Sequence, residues 1–450
     1  MRTVIGRVIA RATFVVSALL AVGCAADGPN DGAAGVVGEL EGPDVPLTAL
    51  TEEVFTIGGW EAEDWDAFSR IFDVHFDPSG NLVVLDWEQG RVAIVGTDGG
   101  LLRQISRRGQ GPGEFRDAGA VAVHHDGRIV VRDWGHRAFV VFDGEGEFIE
   151  QFADLSGSDE ATVMPTGPRT TLNATERSYS TVLHPLPDGR IVVKPSGRAR
   201  SLDVYDGQGE RTTVYRASEL GPGDAGAAQG VERLIPARGS HVGEGSLLGL
   251  ALQATNSGSP VFSPRLWVGV LSDGRVAVAD SAGYRVKLLG PRGSVLGTLE
   301  RPIDPEPVTE EIREAERRRM GTGGLQVLFQ GEGGASPAQA EQIRQAMLAQ
   351  ITFAGEIPVI SRLAVDSDDR IWVQRSEAHG ARDPTDVLTA DGQYFETLSP
   401  DELRLPNAFG PGGLMAYVER DEMEAPISRA SRLRKLHGFS SRSRSPCPEP

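Results

Sequence analysis

The chain has 450 residues, a formal net charge of -18, 56 glycines, 28 prolines and two cysteines. It is longer than one ordinary domain of about 100 to 200 residues, and its acidity disfavours contact with phosphate backbones. With cysteines only at positions 24 and 447, a disulfide-stapled scaffold is excluded, so the core must supply the stability.

Residues 1–24 read as an export signal: Arg2, Arg7 and Arg11 precede the apolar run 14–22, which is too short to span a bilayer. The stretch Leu20-Ala21-Val22-Gly23-Cys24 resembles a bacterial lipoprotein box, although Ala21 stands where that family usually has leucine. The resemblance implies lipidation of Cys24, which would leave Cys447 without an intramolecular partner; a secreted protein cut at nearby small residues is the alternative. Residues 25–50, rich in Gly, Ala, Asp and Pro, are expected to form a flexible tether.

From residue 51 onward one phrase recurs: an apolar strand, an Asp-Gly type turn and a second β-rich strand, followed by a longer connection. The copies are Val74 to Val95 around Ser79-Gly80, Val121 to Phe142 around Asp126-Gly127, Thr181 to Tyr205 around Asp188-Gly189 and Trp267 to Leu289 around Asp273-Gly274. A weaker copy turns at Asp368-Asp369 before Ile371-Trp372-Val373. The first two turns lie 47 residues apart, which suits a four-stranded module of about 40–50 residues. The pattern predicts an all-β fold, a six-bladed β-propeller over residues 51–433. Gly413 to Val418 and Ile427 to Leu433 supply strands of the sixth blade, and Val54-Phe55-Thr56-Ile57 lends it the outermost one. Three second strands end in an acid that an arginine follows four or five residues later: Asp86 with Arg91, Asp133 with Arg137, Asp280 with Arg285. Recurrence marks these as structural pairs, because a catalytic pair is needed once. Lys194 and Gln374 replace the acid in the third and fifth copies.

An apolar strand, an aspartate, a glycine-containing turn and then an arginine resemble the NHL repeat of six-bladed propellers. Gly109-Gln110-Gly111-Pro112-Gly113-Glu114-Phe115 is similar to a junction of the bacterial NHL-like proteins. The resemblance covers roughly residues 52–433 in repeat grammar.

Residues 301–358 break the repeat. Pro307 to Met320 and Pro337 to Ile351 have helical signatures and predict a small helical insertion between the fourth and fifth blades. Residues 434–450 form a basic tail, expected to be disordered.

Few residues carry candidate chemistry. His75 and His184 fall in one column of the inner strands, where they could hold a divalent metal, the only cofactor the pattern raises; buried histidines with backbone partners are the simpler account. His124 and His125 adjoin a turn, and Trp87 and Trp134 follow the strand-ending acids; all four are candidates for a binding face. Gly109 to Gly113 lacks the lysine and the following helix of a phosphate loop, and Ser246 lacks the second glycine of a nucleophile elbow. The expectation is a monomeric, membrane-anchored binding or scaffold module of the cell envelope that recognises a protein, peptide or glycan, and not nucleic acid. Its rival is a metal-assisted lactonase or lyase using His75 and His184.

Overall fold

The computed structural model describes residues 35–39, 44–155, 182–194, 200–217, 260–323, 345, 348–349, 351–376, 383–399, 401–421 and 425–438. All lie in the compact unit Ala34–Pro450. Cys24 and the second expected helix fall outside the described residues, apart from isolated positions of the latter.

The strands form six four-stranded antiparallel blades. Blade 1 contains Ile71–Phe76, Leu82–Asp86, Arg91–Val95 and Leu101–Ile105; blade 2 contains Ala118–Val123, Ile129–Asp133, Ala138–Phe142 and Phe148–Ala153. Blade 3 contains Val182–Pro185, Ile191–Lys194, Ser201–Tyr205 and Arg211–Arg216; blade 4 contains Trp267–Val270, Val276–Ala279, Arg285–Leu289 and Val295–Glu300. Blade 5 contains Ile360–Val365, Ile371–Arg375, Thr385–Leu388 and Tyr394–Leu398. Blade 6 takes Ala408–Gly410, Leu414–Arg420 and Pro426–Gly438 from the C-terminal side and Pro46–Gly58 from the N-terminal side as its outermost strand.

Six buried apolar clusters bridge the six blade junctions. Val83, Leu85 and Ile94 meet Val121 and Phe142 between blades 1 and 2, for example, and Val74 and Val84 meet Ile57 and Ala416 where blade 6 returns to blade 1. Second strands bury both faces against neighbouring blades, which is why Leu82–Asp86 and Ile129–Asp133 are buried at every residue and read as continuous apolar runs rather than alternating ones.

Glycine placement fixes the spacing of the blades. Gly80, Gly127, Gly189 and Gly274 have φ between 85° and 87°, and Asp369 occupies the same position of its turn at φ 60°. A second set was not anticipated: Gly99, Gly146, Gly209, Gly293 and Gly392, in the turns between third and fourth strands, have φ between 77° and 85°. Against each lies a residue of the preceding blade's fourth strand: Phe55, Ile105, Phe152, Val214 and Leu299. A Cβ on Gly392 would come within 2.3 Å of Leu299, so the glycine serves both the turn and the close approach of the next blade. Blade 6 lacks this turn because its third and fourth strands come from opposite ends of the chain.

The N-terminal segment differs from the expected tether. Gly35–Glu39 adds a parallel fifth strand to the outer edge of blade 4, Pro46 and Leu47 pair with Thr397 and Leu398 of blade 5, and the chain then becomes blade 6's outer strand. One segment thus crosses the rim of three blades. At the other end, the last strand runs to Gly438, five residues into the stretch expected as tail, because Thr48, Ala49 and Leu50 offer its main chain a pairing partner.

The insertion between blades 4 and 5 contains the helix α1, Glu310–Gly323. It begins three residues later than its sequence signature, where the Thr309 hydroxyl accepts the Ile312 N–H at 3.4 Å. Among the described residues no helix is long and apolar enough to cross a membrane.

Candidate binding face and channel

Antiparallel order assigns every connection to one of two faces. Turns joining first to second and third to fourth strands lie on one face, the turn face. Turns joining second to third strands, and every connection to the next blade, lie on the other, the connection face. The three longest inter-blade connections, 154–181, 217–266 and 301–359, all depart from and return to the connection face.

The strand-ending aspartates organise that face. Asp86 accepts the backbone N–H groups of Ser69 and Arg70 at 3.2 and 3.1 Å, and Asp133 accepts those of Arg116 and Asp117 at 2.7 and 2.8 Å. Each carboxylate therefore staples the incoming connection to its blade. Burial pushes the Asp86 carboxyl above its ordinary pKa, with these N–H groups and Arg91 acting against it.

The arginine pairing is less regular than the sequence suggested. Arg91 reaches Asp86 at 3.5 Å, but Asp133 is met by His136 at 2.8 Å, while Arg137 sits in a left-handed backbone conformation. Asp280 is held by Lys287 at 3.0 Å and by the Tyr215 hydroxyl at 2.8 Å, while Arg285 pairs with Glu300 at 2.6 Å. The physical reason is register: Arg285 lies opposite Glu300, two positions before Lys287. Strand register also moves the fifth-copy acid position from Gln374 to Arg375, which lies opposite Ile360 as Asp86 lies opposite Ile71. Lys194, opposite Val182, lies one residue before the aspartate column.

The expected binding residues divide between the faces. Trp87 and Trp134 are on the connection face but pack around Phe72, with centroids 6.0 and 5.8 Å away; Trp87 also donates to Asp117 at 2.7 Å. Trp134 lies so close over Gly119 that a Cβ there would come within 2.5 Å of the ring. His124 and His125 are on the turn face, and His124 is buried with only His125 exposed. Burial, with Arg128 nearby, lowers the His124 pKa. An exposed aromatic on the connection face, Trp60, is 71 % accessible, and its backbone N–H donates to Asp421 at 2.6 Å. A tryptophan just after the outer strand of blade 6 was its available sequence signal.

Near the axis, His75 lies 3.6 Å from Asp73, whose carboxylate accepts the Val74 N–H at 3.0 Å and the Val121 N–H at 3.2 Å. His184 is electrostatically coupled to both. Its burial and the neighbouring His75 lower its pKa to about 4, and among the described residues its enclosed Nε2 has no hydrogen-bond partner. Among the described residues no three His, Cys, Asp or Glu side chains are arranged to hold a metal.

A charge cluster with buried Arg301, Arg375 and Asp386 and a partly exposed Asp44 was missed altogether because its members lie far apart in sequence. Arg301 donates to Asp386 at 2.7 Å and to Asp44 at 2.8 Å, and Arg375 donates to Asp44 at 2.6 Å. The Arg301 guanidinium also lies 4.8 Å over the Tyr394 ring. Although burial acts to raise the Asp44 pKa, its bonds to Arg375 and Arg301 hold it below the ordinary carboxylate value. This clamp fixes the N-terminal segment at the junction of blades 4 and 5.

With this geometry in place, comparison with known proteins agrees on the fold. Residues 63–153, blades 1 and 2 with their preceding connections, match the family model described as 6-bladed beta-propeller. No curated protein matches the chain. Among solved structures, a protein of Bacteroides fragilis described as exported is 11 % identical at a TM-score of 0.42, covering 88 % of this chain and 98 % of its own. Virginiamycin B lyase from Staphylococcus aureus is 9 % identical at 0.37, covering 86 % and 99 %. Likenesses this distant do not bear on what the chain does.

Proposed function

We propose that this propeller is an exported, lipid-anchored binding module that recognises a protein, peptide or glycan of the cell envelope through its connection face. The observation that carries this reading is that all three long inter-blade connections start and end on one face, while the described turns of the opposite face are tight. Rigid blades that position long, non-repeated connections are a common arrangement for recognition. Exposed Trp60 adds an amphipathic ring of the kind enriched at interfaces. Export and anchoring rest on the basic start, the apolar run and Cys24. NHL-like kinship rests on the repeated aspartates and glycine turns.

Two measurements test the reading. Cell fractionation of Cys24→Ser should move the protein from the membrane to the soluble envelope fraction; unchanged membrane association would refute the anchor. Affinity capture from envelope extract should recover a partner with the wild type and much less with Trp60→Ala. Equal recovery by both would remove the connection face from the reading.

A further inference from the structure

A cavity of about 140 Å³ lies at the junction of blades 4 and 5, with Ile303, Ile357, Pro358 and Val359 as its apolar wall and Asp304, Glu306 and Ser376 as its polar one. Every stretch of chain that builds it belongs to the connection face. Residues 303–306 follow the fourth strand of blade 4, 357–359 lead into the first strand of blade 5, and Ser376 follows that blade's second strand. Main-chain bonds hold the walls: Glu306 lies opposite Ile357 in a short ladder, the Ser376 N–H donates to the Val359 carbonyl at 2.7 Å, and the Val359 N–H donates to the Ala282 carbonyl at 2.7 Å. Buried Val359 marks the floor and exposed Asp304 the mouth. Among the described residues, the side chains of Asp304, Glu306 and Ser376 have neither a hydrogen bond nor an ion pair. The cations near them in sequence are committed elsewhere: Arg301 to Asp386 and Asp44, Arg375 to Asp44, and Arg313 and Arg317 to Glu310. The cavity therefore joins an apolar wall to two carboxylates that lack a counter-charge.

We infer that this cavity receives a lysine or arginine side chain of a protein or peptide partner. Its volume is close to the roughly 150 Å³ that holds a benzene ring in an apolar core, so it admits about five to seven heavy atoms, the size of those side chains. The methylene stem covers Ile303, Ile357 and Pro358, the cationic head reaches Asp304 and Glu306, and the Ser376 hydroxyl accepts a further hydrogen bond. Other side chains fit worse. An acidic one meets two like charges, and an apolar one takes water from both carboxylates without replacing its hydrogen bonds. The inference rests on the connection-face reading and narrows its partner to a basic polypeptide segment.

An array of short random peptides, probed at physiological salt with the full-length protein in detergent, tests it. Peptides bound by the wild type should contain Lys or Arg several-fold more often than the array as a whole. The double variant Asp304→Asn/Glu306→Gln should abolish that excess. Asp98→Asn/Asp391→Asn, which removes the same charge from exposed turns on the opposite face, should retain it. The wild type alone can overturn the inference, by binding no peptide or by binding peptides without a Lys or Arg excess. An excess that survives Asp304→Asn/Glu306→Gln, or that disappears equally in the turn-face variant, would overturn it as well. Peptides bound without a basic preference but lost with Trp60→Ala would refute the cavity alone and leave recognition through the connection face standing.

Discussion

The two faces of the propeller are built from the same strands but obey different rules. On the turn face blades 1 to 5 repeat one local solution: a residue at positive φ, glycine in four blades and Asp369 in the fifth, an aspartate bonding to the N–H two residues on and, in four blades, an arginine paired with that aspartate or its neighbour, as in Asp126 with Arg128 and Asp273 with Arg275 at 2.7 Å. On the connection face neighbouring blades solve the same problem differently. Arg132 with Asp154, Lys287 with Asp280, and Arg301 with Asp386 and Asp44 are all buried or half-buried pairs, yet no two use the same positions throughout. The turn face therefore repeats a rule of folding, and the connection face records what is particular to this chain.

That contrast sets an order of sensitivities. Asp386→Ala should have the largest effect, because it leaves the buried Arg301 without its main carboxylate; a loss of about 3–5 kcal/mol in urea unfolding is expected. A loss below about 1 kcal/mol would mean that the clamp contributes little to the fold. Gly392→Ala should cost roughly 2–3 kcal/mol from left-handed strain and the collision with Leu299, whereas Gly207→Ala, with open space around it, should stay within about 0.5 kcal/mol. Equal effects would break the link between turn glycines and blade spacing.

A pH titration sharpens the comparison near the axis. His184 has a folded pKa near 4, below its unfolded value of about 6.5. Between these values the unfolded chain binds the additional proton, so stability should fall as pH drops from about 6.5 toward 4. In His184→Gln that part of the acid loss should vanish, as read from thermal unfolding across the window. An identical slope would place the imidazole in a solvated setting. A small change is also expected for Asp273→Asn, whose ion pair with Arg275 is partly exposed: less than about 1 kcal/mol.

The repeat was legible because it is local. Turn glycines, apolar second strands and the strand-ending aspartates recur within one blade's length, and Val54 to Ile57 supplied the closing strand as expected. Partners set by register were not legible. Arg285 faces Glu300, and His136 replaces Arg137 at Asp133, because pairing depends on which residue lies opposite and on backbone twist at a turn. The Asp44 clamp joins positions separated by up to 342 residues, and the composition around Asp44 suggested a solvated tether. The candidate site was read least well. Trp87 and Trp134 looked available but are spent on packing with Phe72, and exposed Trp60 has no repeat to mark it.

The central claim, recognition through the connection face, is tested most directly by photo-crosslinking in living cells. A photoreactive amino acid is placed at position 60 in one protein and at position 125, exposed on the turn face, in another. The account predicts a discrete, higher-mass adduct from position 60 and none from position 125. An adduct from position 125 alone, or from neither position, would contradict it.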